Sequence, residues 1–284
     1  MNWLVFHIAC GAAFFSGVAL LLLSAALSCW DHWLLKRARW LMLAVGAIAI
    51  AVSSTPLPYW PLATAIAISV ARQILLWREQ WQNYATIAFV AIWTFAAAWE
   101  GMHWVTPTAR PVSVRSLTII GDSVTAGTGT KHEVTWPTLF AEQHDVHVQD
   151  LSGSGFTTAQ ALQKARTEGI DSPLVFVEIG GNDMLHGQSA SVFREDLEAL
   201  LALLTEHDRQ VVMLELPLIP FHGNYGRAQR SLAKKYGVHL VPKYVFLSIL
   251  APEDATLDTI HLTPAGHQQM SDRAWDLVSD AYEN

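Results

Sequence analysis

The chain has 284 residues, 51% of them apolar and only 15% charged, with a formal net charge of −7 at pH 7. Met1–Trp104 holds five Lys/Arg and three Asp/Glu, whereas Val105–Asn284 holds 13 Lys/Arg and 22 Asp/Glu. So acidic a second part lacks the basic face that phosphate backbones require, which excludes nucleic acid as a partner, and its 180 residues suffice for one well-buried domain.

In chain order, the first elements look like membrane sequence. Asn2–Trp30 carries no formal charge, and about 20 apolar residues cross a bilayer as a helix, so this stretch is expected to be a first pass. Cys10 and Cys29 would lie about 28 Å apart along it, beyond disulfide reach. A basic cluster follows at Lys36, Arg37 and Arg39. The uncharged run Trp40–Ala71 would be about 48 Å long as one helix, and Pro56, Pro58 and Pro61 interrupt it. A hairpin is therefore predicted, with passes near 40–56 and 60–77 and Arg72 reaching for the interface. Tyr84–Trp104 makes a fourth pass. Ten of the twelve tryptophans fall in this part, a residue that favours membrane interfaces. His7, Arg72 and Glu100 sit near segment ends, where interfacial placement explains them better than a conduction path does.

Basic loops tend to stay cytoplasmic. The Lys36–Arg39 loop and the Arg72/Arg78 turn therefore put the second part outside the cytoplasm, on the outer face of a bacterial inner (plasma) membrane. Arg110 and Arg115 pull weakly the other way, and a single tilted pass over 40–71 would reverse the side. A cleavable leader is not expected, because the start of the chain has no basic residues.

Residues 105–115, "VTPTARPVSVR", read as an extended linker between a four-helix membrane module (1–104) and a globular domain (116–284). In that domain the apolar runs Leu117–Ile120, Val146–Leu151, Leu174–Ile179, Val211–Leu216 and Val238–Val241 are predicted to be buried parallel strands. Helical patterns alternate with them at Trp136–Gln143, Thr158–Thr167, Ser191–His207 and Tyr225–Tyr236. A last helix starts at Pro264 behind the cap candidate Thr263 and runs to about Tyr282. The predicted fold class is α/β: a three-layer sandwich around a five-stranded parallel sheet, preceded by an all-α transmembrane module. Sites in such sheets lie at the carboxyl ends of the strands.

Four segments bring polar residues to that edge. "GDS" delivers Ser123, "LSGSGFTT" brings Gly153 and Gly155 in a turn, "IGGND" places Asn182 and Asp183, and "DTIH" supplies Asp258 and His261. A serine hydroxyl is a weak nucleophile until a base takes its proton, and an imidazole is the best base at neutral pH. A carboxylate can hold one ring nitrogen protonated and leave the other free. The oxyanion formed on attack needs preorganised donors, each worth about 3 kcal/mol in the transition state. The Ser123 N–H, a turn-glycine N–H and the Asn182 amide can serve. A rate that rises with pH through about 6–7 would accompany such a base.

These blocks, "GDSVTAG", "SGSGFTT", "GGND" and "DTIH", in this order and covering essentially residues 116–282, resemble the SGNH, or GDSL, hydrolase family. "VEIGGNDMLHG" and "NYGRAQRSLAKKYGV" are further similar to its bacterial thioesterase/lysophospholipase and arylesterase branch. The resemblance implies a flavodoxin-like fold, Ser123 as nucleophile, His261 as base and Asp258 as its orienter. It also implies an oxyanion hole of Ser123, Gly155 and Asn182, and no metal or cofactor. It is the match of "SGFTT" that selects Gly155 over Gly153. The membrane module departs from that branch.

The remaining polar residues read as scaffold. Asp122 and Asp183 are expected to brace loops, His144 and His147 to lie on the surface, and His267 to sit inside the last helix with no ligand role. His186 and His222 lie on rim loops. The expected activity is that of a membrane-anchored serine esterase, with an acyl-chain substrate such as a lysophospholipid favoured by a site tethered near the bilayer. "LPLIPF" and "YVFLSIL" are candidate walls of an acyl groove, though both can equally pack the sheet. The alternatives are an O-acetyl esterase or acyltransferase acting on an envelope glycan or lipid-linked sugar, and a non-catalytic binder of acylated ligand. No protein partner is indicated.

Overall fold

A computed structural model describes residues 1–30, 32–75, 79–129, 133–258 and 260–283. Two compact units emerge, one comprising Trp3–Trp104 with Leu218–Gly223, the other Met1–Asn2, Val105–Pro217 and Asn224–Asn284.

The first unit is helical: α1 (Trp3–Ala9), α2 (Ala12–Ala26), α3 (Trp33–Val52), α4 (Tyr59–Leu75) and α5 (Glu79–Gly101). Phe14, Val18, Leu21, Phe89, Trp93 and Ala96 form its core. Helices α2 and α3 approach closely at Gly17 and Gly46, where a Cβ on Gly17 would lie 2.7 Å from the Gly46 carbonyl oxygen. The expected single first pass is corrected: Gly11, at φ 89°, takes a left-handed turn, and α1 and α2 meet at a bend of 85°. The helix expected as pass two begins earlier than expected, because α3 already includes Lys36, Arg37 and Arg39. It ends before the Pro-rich turn, as a proline-blocked helix should. Among the described residues one helical stretch, Gln80–Trp104, is long and apolar enough to cross a membrane by itself, and the bent pair α1–α2 qualifies if taken together. Helix α3 carries three charges in its first two turns and α4 has 17 residues. Arg78, part of the expected basic turn, lies outside the described residues.

The second unit alternates strands and helices. In order come β1 (Ser116–Gly121), α6 (Ser123–Ala126), α7 (Trp136–His144), β2 (His147–Asp150), α8 (Thr158–Glu168), β3 (Leu174–Glu178) and α9 (Gly181–Leu185). Then follow α10 (Ala190–Leu204), β4 (Gln210–Leu214), α11 (Gly223–Tyr236), β5 (His239–Val241), α12 (Lys243–Leu250) and α13 (Pro264–Val278). The five strands are all parallel, in the order β2-β1-β3-β4-β5.

Alternation of side chains along each strand feeds two cores. Leu117, Ile119, Leu174, Phe176, Val212 and Leu214 pack with Trp136, Phe140, Met270 and Ala274 of α7 and α13. The alternate residues Ile120, Val175 and Val177 are equally buried. Helix α10 buries Phe193, Leu197, Leu200, Leu201 and Leu204, one stripe at helical spacing, each side chain contributing about 2 kcal/mol. "YVFLSIL" packs as α12, burying Val245, Phe246, Leu247, Ile249 and Leu250.

Two sequence expectations need correction here. Residues 105–115 are not a free linker: Arg110 exchanges two 2.8 Å hydrogen bonds with the Gln210 side chain, and the Val112 N–H donates to Ala281 O at 2.9 Å. The helix expected to reach His207 stops at Leu204, with a short turn in which His207 takes φ 58°.

Beyond β4, the buried Glu215 meets Arg230 Nε at 2.6 Å. Burial alone would push its carboxyl up, but Arg230 and Lys243 outweigh that and hold it below the usual range.

Candidate active site

The strand order reverses at β1, which leaves a crevice between the carboxyl ends of β1 and β3. Asp122 builds the turn that follows β1. Its side chain accepts the Val124 N–H at 3.0 Å and caps α6, so Ser123 becomes the first helical residue, 8% exposed. At that position a backbone N–H has no intrahelical acceptor, and no described residue accepts it. In the turn after β2, Gly155 sits at φ 76°, where a side chain would cost about 1–2 kcal/mol. An added Cβ there would meet nothing within 4 Å, so backbone conformation, not crowding, requires the glycine. Asn182, on α9 after β3, donates from Nδ2 to Phe156 O at 3.0 Å and to Asp122 Oδ2 at 3.3 Å. The side-chain amide thereby laces the three strand ends together.

The fourth segment is a closed turn. The Leu257 N–H donates to His261 O at 2.8 Å, and Thr256 and Leu262 pair as an antiparallel bridge. Asp258 Oδ1 accepts the Ile260 N–H at 2.8 Å and the His261 N–H at 3.0 Å, which fixes the carboxylate. Its Oδ2 lies 2.8 Å from His261 Nδ1, so the proton sits on Nδ1 and Nε2 is free to act as a base. Thr259 of this block lies outside the described residues. Among the described residues no hydrogen bond joins the Ser123 hydroxyl to His261. Such bonds are commonly long without substrate and tighten on binding.

One participant was not foreseen from the sequence. Glu178, the last residue of β3, is 3% exposed, and Asp122 is 4% exposed. Glu178 Oε2 accepts the Asp122 N–H at 3.4 Å and the Thr125 hydroxyl at 3.0 Å. Burial, then the Asp122 charge, pushes the Glu178 carboxyl well above its usual range. Burial likewise pushes Asp122 up to about 6. Adjacent buried carboxylates resist ionising together, so the pair keeps a proton that the unfolded chain would release. The stability this provides is complete below the ordinary carboxylate range near 4 and is lost as pH rises through about 6 for Asp122. Glu178→Gln keeps an acceptor for Thr125 and cannot ionise. Its Tm is expected to fall less than the wild-type Tm between about pH 5 and 8, and thermal melts with equal slopes would refute the buried proton.

The other flagged residues serve structure. Asp183 accepts the Thr158 N–H at 2.9 Å and its hydroxyl at 3.1 Å, bracing the start of α8. His267 Nδ1 accepts the Trp136 N–H at 3.2 Å while Nε2 lies 3.3 Å from Glu133. Glu133 in turn holds the backbone N–H groups of Thr128 and Gly129. His144 is half-buried, its ring stacked on Trp275 at 4.0 Å. His147 and His186 are exposed, and His222 bonds back to Pro220 O at 3.0 Å. Among the described residues no cluster of His, Cys, Asp and Glu could hold a metal ion.

Comparison with known proteins places the chain's second unit among known folds and families. Residues 119–269 match the model of the GDSL-like lipase/acylhydrolase family. An arylesterase of Vibrio mimicus is 30% identical over 164 residues, covering 52% of this chain and 80% of the relative. The Escherichia coli K12 protein "thioesterase 1/protease 1/lysophospholipase L1" is 29% identical over 166 residues, covering 54% of this chain and 78% of the relative. Among solved structures, the psychrotrophic esterase EstA of Pseudoalteromonas superposes with a TM-score of 0.51 at 24% identity, covering 57% of this chain and 96% of that one. That likeness speaks to the fold.

Proposed function

The chain belongs to the GDSL-like lipase/acylhydrolase family and is an ester-hydrolysing serine hydrolase, and from that premise we propose a membrane-anchored esterase working through Ser123, His261 and Asp258. The Ser123 oxygen attacks the acyl carbonyl while His261 Nε2 takes its proton. The oxyanion is held by the N–H groups of Ser123 and Gly155 and by Asn182 Nδ2, which exchanges its longer, 3.3 Å bond to Asp122 Oδ2 for the oxyanion. Protonated His261 then gives the proton to the departing alcohol. Water repeats the sequence on the acyl-enzyme and restores the serine. The observation that carries this reading is the 2.8 Å contact between Asp258 Oδ2 and His261 Nδ1, which fixes the tautomer a general base needs. A pure binder of acylated ligand would have no use for it.

The proposed substrate is an acyl-chain ester of lysophospholipid type. The printed activities of the Escherichia coli relative support it. The proposed anchor is the helical unit, crossing four times with the catalytic unit outside the cytoplasm at a bacterial inner membrane. Leu41, Val45 and Ile48 of α3 and Ile66, Val70 and Ile74 of α4 are exposed at helical spacing, an outward apolar face that suits lipid and not water. A reporter fused to the C-terminus that reads cytoplasmic would overturn this topology.

The test is hydrolysis by the full-length protein of p-nitrophenyl esters from acetyl to palmitoyl, with lysophospholipids and acetylated glycans in parallel. kcat/KM is expected to rise with chain length. A preference confined to acetyl groups would instead support an O-acetyl esterase or acyltransferase on an envelope glycan or lipid-linked sugar. No turnover of any ester would refute the reading.

A further inference from the structure

Within the helical unit, the start of α3, the end of α4 and the start of α5 line an open pocket of about 1110 Å3. Lys36, Arg39, Gln73, Asn83 and Thr86 are among its walls, and among the described residues none that lines it is a carboxylate. Behind Thr86 lies Arg72, 0% exposed. Its guanidinium rests on the Phe89 ring at 4.8 Å and spends one donor, Nε, on the Thr86 hydroxyl at 3.3 Å. Nη1 and Nη2 of Arg72, and Nε of Arg39, are buried with no hydrogen-bond partner.

That arrangement is out of balance for a protein alone. A buried cation is retained when a counter-charge and acceptors meet its donors, and here, among the described residues, Nη1 and Nη2 of Arg72 and Nε of Arg39 are left over beside the pocket. Arginine offers planar paired donors that match a phosphate in two-point fashion. The pocket also holds Gln73, whose buried Oε1 has no partner. Exchanging the ends of that amide turns its NH2 group inward as a further donor. We propose that this pocket binds a phosphate-bearing anion, held by Arg72 and Arg39 with Lys36 at its mouth. An anionic lipid headgroup and a free phosphate ion share that chemistry. The site is separate from the ester chemistry and does not depend on it.

The test uses the full-length protein in three settings: detergent with and without inorganic phosphate, nanodiscs of phosphatidylcholine, and nanodiscs in which part of the phosphatidylcholine is replaced by phosphatidylglycerol. Tm is read by intrinsic fluorescence, and retained phospholipid by native mass spectrometry. Phosphatidylglycerol is expected to raise Tm by several degrees over phosphatidylcholine, and Arg39→Gln and Arg72→Gln are each expected to lose most of that shift. A gain from phosphatidylglycerol alone identifies a lipid headgroup, and an equal gain from inorganic phosphate identifies a soluble ion. Should Arg72→Gln not fold, Arg39→Gln, at the half-exposed wall, carries the comparison. No gain from either anion, or the same gain in wild type and Arg39→Gln, overturns the proposal.

Discussion

Ser123→Ala is expected to lower kcat/KM on a p-nitrophenyl ester by about 10⁴-fold or more and to abolish labelling by a fluorophosphonate, while Tm stays where it was. The size follows from the role proposed for the hydroxyl, which is to form the acyl-enzyme. The unchanged melt follows from the local structure. The cap of α6 is the Asp122 carboxylate on the Val124 N–H, so the serine side chain is not what holds the turn. A residual rate over water is expected, because the N–H groups of Ser123 and Gly155 survive the substitution and can still polarise a carbonyl. A folded variant that labels or turns over like wild type would remove Ser123 from the mechanism.

The second large effect concerns the side-chain amide. Asn182→Ala is expected to reduce kcat by about 10²–10³-fold, the worth of one oxyanion donor, with KM little changed because the ground-state carbonyl gains less from it. Asn182 also ties Phe156 O and Asp122 Oδ2 together, so a purely architectural role has to be distinguished. Loss of the tie would loosen the three strand ends, lowering Tm and raising KM together. A selective fall in kcat at constant Tm marks the donor. Equal losses in both constants with a lower melt would assign the residue to scaffolding alone.

Much of this was legible before any coordinates. Strands buried on both faces read as continuous apolar runs, which is how Leu117–Ile120 and Leu174–Ile179 stood out. Four short polar blocks at their ends singled out Ser123, Asn182, Asp258 and His261. What escaped notice did so for physical reasons. Glu178 falls inside the expected strand Leu174–Ile179, where a single carboxylate in an apolar run carries no sign of a partner. Only the folded chain reveals it as 3% exposed beneath the nucleophile turn. The break at Gly11 depends on a left-handed backbone that glycine permits without demanding. Helix α12 hid in "YVFLSIL" because an unbroken apolar run carries no period by which to tell helix from strand. The segment 105–115 looked like a tether because its prolines and polar residues gave no hint that Ala109 joins the core.

The base-bearing turn from Leu257 to His261 is closed by its own short-range bonds, and its two key side chains are open to water, Asp258 at 58% and His261 at 35% exposure. Segments built this way open more cheaply than a buried sheet. Heat can therefore disarm the enzyme while its scaffold is still intact: silence arrives first, and collapse is a separate, later event.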